Sequence, residues 1–172
     1  MHQVYVDIIV SAIIEQFFSE EHFYLEHLNI DKDQWENWKN GRGNLNNEDM
    51  QKVKSLFTDY EWMLTQKIMR QTVLFPEKRN IAVSEYKRLK TMIARKWMKS
   101  DVGRAELLPF NNSIQDDEGF INLKVSIAYG EWGFDDIITF RLPSKLQPQL
   151  EGSKVELLDW MDENLMETYV MD

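Results

Sequence analysis

Apolar residues recur at helical spacing through the first hundred positions and then change to alternation. Val4, Ile8, Ile9, Ala12, Ile13 and Phe17 fall three or four apart, which predicts a helix over residues 3–18. Ser19 followed by Glu20 and Glu21 has the form of an N-cap with acids in the first turn, where the helix dipole favours negative charge. Phe23, Leu25 and Leu28 give this short second helix its apolar residues, and Asn29 breaks it. Asp31, with Gln34 three residues on, forms a capping-box pattern for a third helix that carries Trp35 and Trp38 and stops at Gly41. Asn46 or Asn47 caps a fourth, with Met50, Val53, Leu56 and Phe57 as its apolar positions. Asp59 caps a fifth, which must end before Pro76. A sixth starts at Asn80 or Ser84 and places Ala82, Tyr86, Leu89, Ile93 and Trp97 along one side.

Beyond residue 100 the pattern is different. Residues 101–119 read as loop. Ile121, Leu123, Val125, Ile127 and Tyr129 then alternate with polar residues, which is strand spacing. "GEWG" reads as a turn with Trp132 at its tip, and "DDIITFRLP" as a second strand ending at Pro143. "SKLQPQLEGS" is loop, and "KVELLDWMDENLMETYV" an acidic amphipathic helix whose Leu157, Leu158, Trp160, Met161 and Met166 suit a core or a dimer contact. The pattern predicts an α+β protein: an N-terminal all-α half, then a β-hairpin and a C-terminal helix. Residues 1–100 are expected as one helical domain. Residues 101–172 are expected as a small ββα region that packs on it or dimerises, because a hairpin and one helix bury too little to stand alone.

The stretch "SEEHFYLEHLNIDKDQWENWKNGRGNLNNEDMQKVKSLF" adds a functional suggestion. A short helix ends in Leu28, a turn follows at Asn29 and Ile30, and Asp31 caps a helix with Trp35 and Trp38. "WKNG" closes that helix, and after Leu45 comes the helix of Met50, Val53, Leu56 and Phe57. Over about residues 17–58 this resembles the helix-turn-helix of the lambda repressor and Cro family. The resemblance implies that the residues near the start of the second helix of the unit face the major groove of DNA. Lys32, Asp33, Glu36 and Asn37 are then the expected base contacts, with Lys suited to guanine and Asn to adenine. Lys39 and Arg42 are expected on phosphates. Asp33 and Glu36, with Glu20, Glu21 and Glu26 on the preceding helix, depart from what phosphate favours. The competing reading keeps the tryptophans as core and Gly41 as a helix stop, on a scaffold that never meets DNA.

Charge sharpens the contrast. The 172 residues carry a net charge of −9, unevenly spread. Residues 1–62 hold 5 basic and 12 acidic side chains, residues 63–100 hold 10 and 2, and residues 101–172 hold 5 and 15. On the sixth helix Arg88, Arg95 and Lys99 fall within about 40° of one another. Lys87 and Lys96 flank them, and Glu85 is the one acid nearby in sequence. Such a stripe suits phosphate, an acidic protein surface (the C-terminal half included), or solvent.

Catalytic chemistry is not suggested. Cysteine is absent, and neither a Gly-rich phosphate loop nor a nucleophile-elbow motif occurs. His22 and His27 stand five apart, a poor spacing for a shared metal, so "EEHFYLEH" is expected as a solvated face. The acid pairs Asp116–Asp117 and Asp135–Asp136 are expected to cap and solubilise. No run approaches the ~20 apolar residues that span a bilayer, and no signal peptide is evident. The expectation is therefore a non-enzymatic protein of the cytoplasm with no cofactor, no metal and no membrane association. It would be a bacterial or phage-like helix-turn-helix transcriptional regulator, binding double-stranded DNA as a homodimer. The alternative is an acidic protein–protein interaction module on the same scaffold, with a protein partner in place of DNA.

Overall fold

Helices occupy the first hundred residues and an antiparallel sheet follows, so the protein is α+β. The computed structural model describes residues 2–109, 120–146 and 153–170. The pair Asp116–Asp117 and the loop residues 147–152 lie outside the described residues. The chain forms two compact units: residues 1–58 with 62–83, and residues 59–61 with 84–172. The division after Val83 falls within the first turn of the sixth helix.

In the first unit α1 (His2–Phe17) buries Val4, Val6, Ile8, Ile9, Ala12 and Ile13. These residues cover more than one stripe, so α1 is surrounded on several sides. Phe18 takes a positive φ of 66° and ends it. Ser19 Oγ then accepts the His22 backbone N–H at 3.1 Å and starts α2, an α turn over Glu20–His22 that runs into a π turn over Phe23–His27. The π turn leaves Leu25, Glu26 and His27 exposed with Glu21, the solvated face expected of "EEHFYLEH". It buries Phe23 and Tyr24 and brings both histidine rings to Phe17, at 6.2 Å and 5.1 Å. The i→i+5 bonding of a π turn brings residues five apart onto one side, which α spacing does not. Helices α3 (Lys32–Lys39), α4 (Asn47–Lys54) and α5 (Asp59–Leu74) follow, then a 3₁₀ turn over Pro76–Ile81. Asp59 is the first residue of α5 and not its cap; the Trp62 N–H bonds the Thr58 carbonyl at 2.8 Å. Trp35 and Trp38 stack at 4.9 Å, and Phe23 meets Trp35 edge-on at 5.9 Å. Tyr5 of α1 meets both Trp38 and Trp62 edge-on.

The second unit holds α6 (Ala82–Lys99) from Ser84 onward, β1 (Gly103–Pro109), β2 (Phe120–Ala128) and β3 (Asp135–Pro143). Helix α7 (Lys154–Trp160), a π turn over Met161–Leu165 and α8 (Met166–Val170) complete it. The strands pair antiparallel in the order β1-β2-β3. Strand β1 corrects the expectation of a loop at 103–109. Only Ala105 and Leu107 carry its alternation, too little to see in sequence, and its register with β2 places them beside Val125 and Leu123. A side chain at Gly103 would overlap the Trp97 carbonyl, so glycine alone permits this close passage from α6 into β1. One face of the sheet presents the cross-strand pairs Ile121–Leu142, Leu123–Phe140 and Val125–Ile138. Ala94 and Met98 of α6 and Leu157, Trp160, Met161, Leu165 and Tyr169 of the C-terminal helices form one core with it. Ser153 caps α7 reciprocally with Glu156, at 3.2 Å and 2.9 Å.

The buried stripe of α6 is Ala82, Tyr86, Lys90, Ala94 and Met98, with Thr91 beside it. Leu89, Ile93 and Trp97, expected at its centre, are half-buried at its edge. A lysine at the central position hid the stripe from an apolar count. Lys90 is 4% exposed and ion-pairs at 3.1 Å with Glu61, itself 2% exposed. Its ammonium also donates to the Thr139 carbonyl and to the Tyr169 hydroxyl, both at 2.8 Å. The rings of Tyr86, Phe140 and Tyr169 surround it at 4.9–5.4 Å. Glu61 in turn accepts the Thr139 backbone N–H at 3.1 Å. Replacing Lys90 by Met leaves a buried carboxylate uncompensated and should cost about 3 kcal/mol or more. Urea denaturation should register this loss, and Lys90→Met combined with Glu61→Leu should recover only part of it, because the Thr139 N–H and carbonyl lose their partners. A single variant as stable as the wild type would show that the pair does not hold this unit.

Candidate nucleic-acid interface

Helix α3 is fixed at both ends. Asp31 Oδ1 accepts the Gln34 N–H at 2.8 Å, and Gln34 Oε1 accepts the Asp31 N–H at 3.2 Å, a complete capping box. Asn29 ahead of it holds φ at 57°, a conformation asparagine adopts more readily than most residues. At the C-terminus Gly41 takes φ 69°. His2 Nε2 lies 2.9 Å from the Trp38 carbonyl and 3.1 Å from that of Lys39, so it donates to acceptors of the last turn. With Trp35 and Trp38 buried, the outer side presents Lys32, Asp33 and Asn37, all exposed. Arg42, also exposed, is drawn back to α3 by its backbone N–H, which bonds the Asn37 carbonyl at 2.8 Å.

Two residues expected on DNA are occupied with each other. Lys39 Nζ stands 2.9 Å from Glu36 Oε1 and 2.9 Å from Glu20 Oε1. Glu20 also accepts the Trp35 indole N–H at 3.2 Å. A buried indole needs an acceptor; Glu20 supplies it, and Lys39 then balances Glu20. Burial works against the Lys39 ammonium, but hydrogen bonds from Glu36 and Glu20 outweigh it and hold its pKa above the usual lysine value. Glu36 is half-buried. Of the six positions expected here, Lys32, Asp33, Asn37 and Arg42 remain open to a partner.

The stripe on α6 is also engaged. Arg88 is chelated by Glu85, at 3.0 Å and 2.9 Å. Arg95 Nε donates to Asp162 Oδ1 at 2.6 Å, and Lys99 lies 3.4 Å from the other oxygen of the same carboxylate. Lys87 sits over the Tyr169 ring at 5.2 Å. Lys96 is exposed, and among the described residues no acid pairs with it. Beyond Glu85, the opposing charge comes from Asp162 in the acidic C-terminal half, one of the partners that the sequence left open for this stripe. The hydrogen bond from Arg95 is the main cause that holds the Asp162 carboxyl below the usual range.

Charge divides between the units. The first holds nine basic and eleven acidic residues, the second eleven and eighteen, so most of the net negative charge lies outside the unit that carries α3. Beside α3, Ile30, Gln34, Asn37, Arg42, Gly43, Asn44, Leu45, Asn46 and Asp49 line a cleft of about 310 Å³. In the second unit the turn between β2 and β3 exposes Tyr129, Trp132 and Phe134, Trp132 by 78%. The Tyr129 hydroxyl donates to Asp136 at 2.6 Å there. Among the described residues no group of three or more His, Asp or Glu could hold a metal ion, and no helix is long and apolar enough to cross a membrane. The chain matches no known family, no curated protein and no solved structure.

A depressed carboxylate contributes stability above the ordinary carboxylate range and loses it as pH falls through the folded pKa. Asp162→Asn should therefore destabilise the protein near neutrality, by about 1 kcal/mol or less for so exposed a pair. The difference from wild type should close as pH falls through the depressed carboxyl pKa, below which both forms are uncharged. Urea melts across pH test this, and a gap that stays constant with pH would assign the effect to packing.

Proposed function

We propose that this protein binds double-stranded DNA through the outer side of α3, as a regulator of the helix-turn-helix type. The observation that supports this best is the capped, tryptophan-anchored α3, whose Lys32, Asp33 and Asn37 stay exposed with Arg42 beside them. In this reading Lys32 pairs with guanine, Asn37 with adenine, Asp33 accepts from cytosine, and Arg42 meets phosphate. The near balance of charge in the first unit removes much of the repulsion that the whole-chain value implies. Lys87, Arg88, Arg95, Lys96 and Lys99 supply a further phosphate surface, Arg88, Arg95 and Lys99 only where phosphate displaces Glu85 and Asp162. A homodimer would present two α3 helices to two half-sites.

Fluorescence anisotropy on random duplex DNA, from ~50 mM salt upward, tests the reading through the nonspecific electrostatic term that all such proteins share. Affinity should fall steeply with salt, and Lys32→Ala with Arg42→Ala should weaken it and flatten the slope by about one phosphate contact, that of Arg42. Asp162→Asn should tighten binding if α6 takes part, since it releases Arg95 and Lys99. No binding by the folded protein at ~50 mM salt would overturn the regulator reading.

One observation favours a second reading, an acidic protein–protein interaction module. Tyr129, Trp132 and Phe134 are exposed beside Glu131, Asp135 and Asp136. Exposed aromatics ringed by acids suit a basic protein partner better than phosphate. Failure in the DNA titration would leave this reading in place.

A further inference from the structure

The cleft beside α3 contains an unanswered charge. Asp49 is 94% buried, being 6% exposed, and it lines the cleft. Its backbone N–H is used by Asn46 Oδ1 at 2.7 Å, but among the described residues no donor reaches its carboxylate. Its place in the first turn of α4 explains how the charge is tolerated, because the helix dipole is positive there. Its carboxylate oxygens are not sealed from solvent and open on the cleft, where a cationic group can reach them. Arg42 lines the same cleft, and no ion pair joins it to Asp49. Two opposite charges therefore share one small cavity without meeting.

The rest of the lining is amide. Gln34, Asn37, Asn44 and Asn46 offer donors and acceptors, and only Ile30 and Leu45 are apolar. A cleft of about 310 Å³ lies at the small end of ligand sites. An anion alone would face the Asp49 carboxylate, and a cation alone would leave Arg42 unanswered.

We propose that this cleft binds a small zwitterion, an α-amino acid with a polar side chain. The ammonium group pairs with Asp49, the carboxylate with Arg42, and the amides hold the side chain. The charged contacts form partly out of water, where hydrogen bonds between ions are strongest. Binding is a property of the free protein and does not depend on the DNA reading.

The test is isothermal titration of the intact protein with each of the twenty free amino acids at up to ~10 mM. Guanosine monophosphate, butylamine and propionate serve as controls. At least one polar amino acid should bind, and butylamine and propionate should not compete. Asp49→Asn should weaken binding by about tenfold or more, the usual effect of removing one partner from a charged hydrogen bond. Arg42→Gln should do the same, and because Arg42 is exposed this variant keeps the test sound even if Asp49→Asn folds poorly. Absence of binding by every amino acid would overturn the proposal. So would binding unchanged in both variants, or binding of the nucleotide in place of amino acids.

Discussion

A single residue on the edge of the sheet organises the second unit. Among the described residues strand β3 pairs only with β2, so its other side presents open backbone groups. Thr139 gives its N–H to Glu61 and its carbonyl to Lys90, and the two side chains then pair with each other. The ion pair thus takes the place that a neighbouring strand would fill. It brings the first turn of α5 and the middle of α6 to the sheet at one point. Edge strands invite pairing with other chains, and here a buried charge pair closes that position. The desolvation cost of such a pair is large. It is offset because every proton of the ammonium has an acceptor, with three aromatic rings around it. A hydrophobic pair could pack as well but could not satisfy both backbone groups of Thr139.

The electrostatics of α3 follow the same rule on a smaller scale. The buried indole of Trp35 requires an acceptor, Glu20 provides it, and Lys39 neutralises Glu20 while Glu36 completes the set. One packing decision, two stacked tryptophans in the core, therefore fixes which charges stay available on the helix. What remains is compact: a lysine, an aspartate, an asparagine and a nearby arginine. Such a surface offers polar donors and acceptors but carries little net positive charge.

Much of the fold was legible along the chain. Ser19, Asp31 and Asn46 announce the helices they cap, and Asn29 and Gly41 mark breaks where the backbone takes positive φ. The hairpin of β2 and β3 shows in its alternation, and its turn in two glycines. Strand β1 escaped notice because two apolar residues cannot establish a period; pairing with β2 established it instead. The π turn escaped because a sequence window assumes 3.6 residues per turn. Lys90 escaped because a charged residue in a buried stripe contradicts the pattern used to find one.

The sequence by itself determined the local elements, the change from helix to sheet near residue 100 and the separation of charge into basic and acidic blocks. These depend on neighbours within about ten residues, where spacing and capping act. Only the tertiary structure decided which charges face each other. Glu20 reaches Lys39, Asp162 reaches Arg95, and Glu61 reaches Lys90 across separations that no local period encodes. It also left Asp49 and Arg42 in one cleft without pairing. An ion pair depends on distance in space, and the core alone sets that distance.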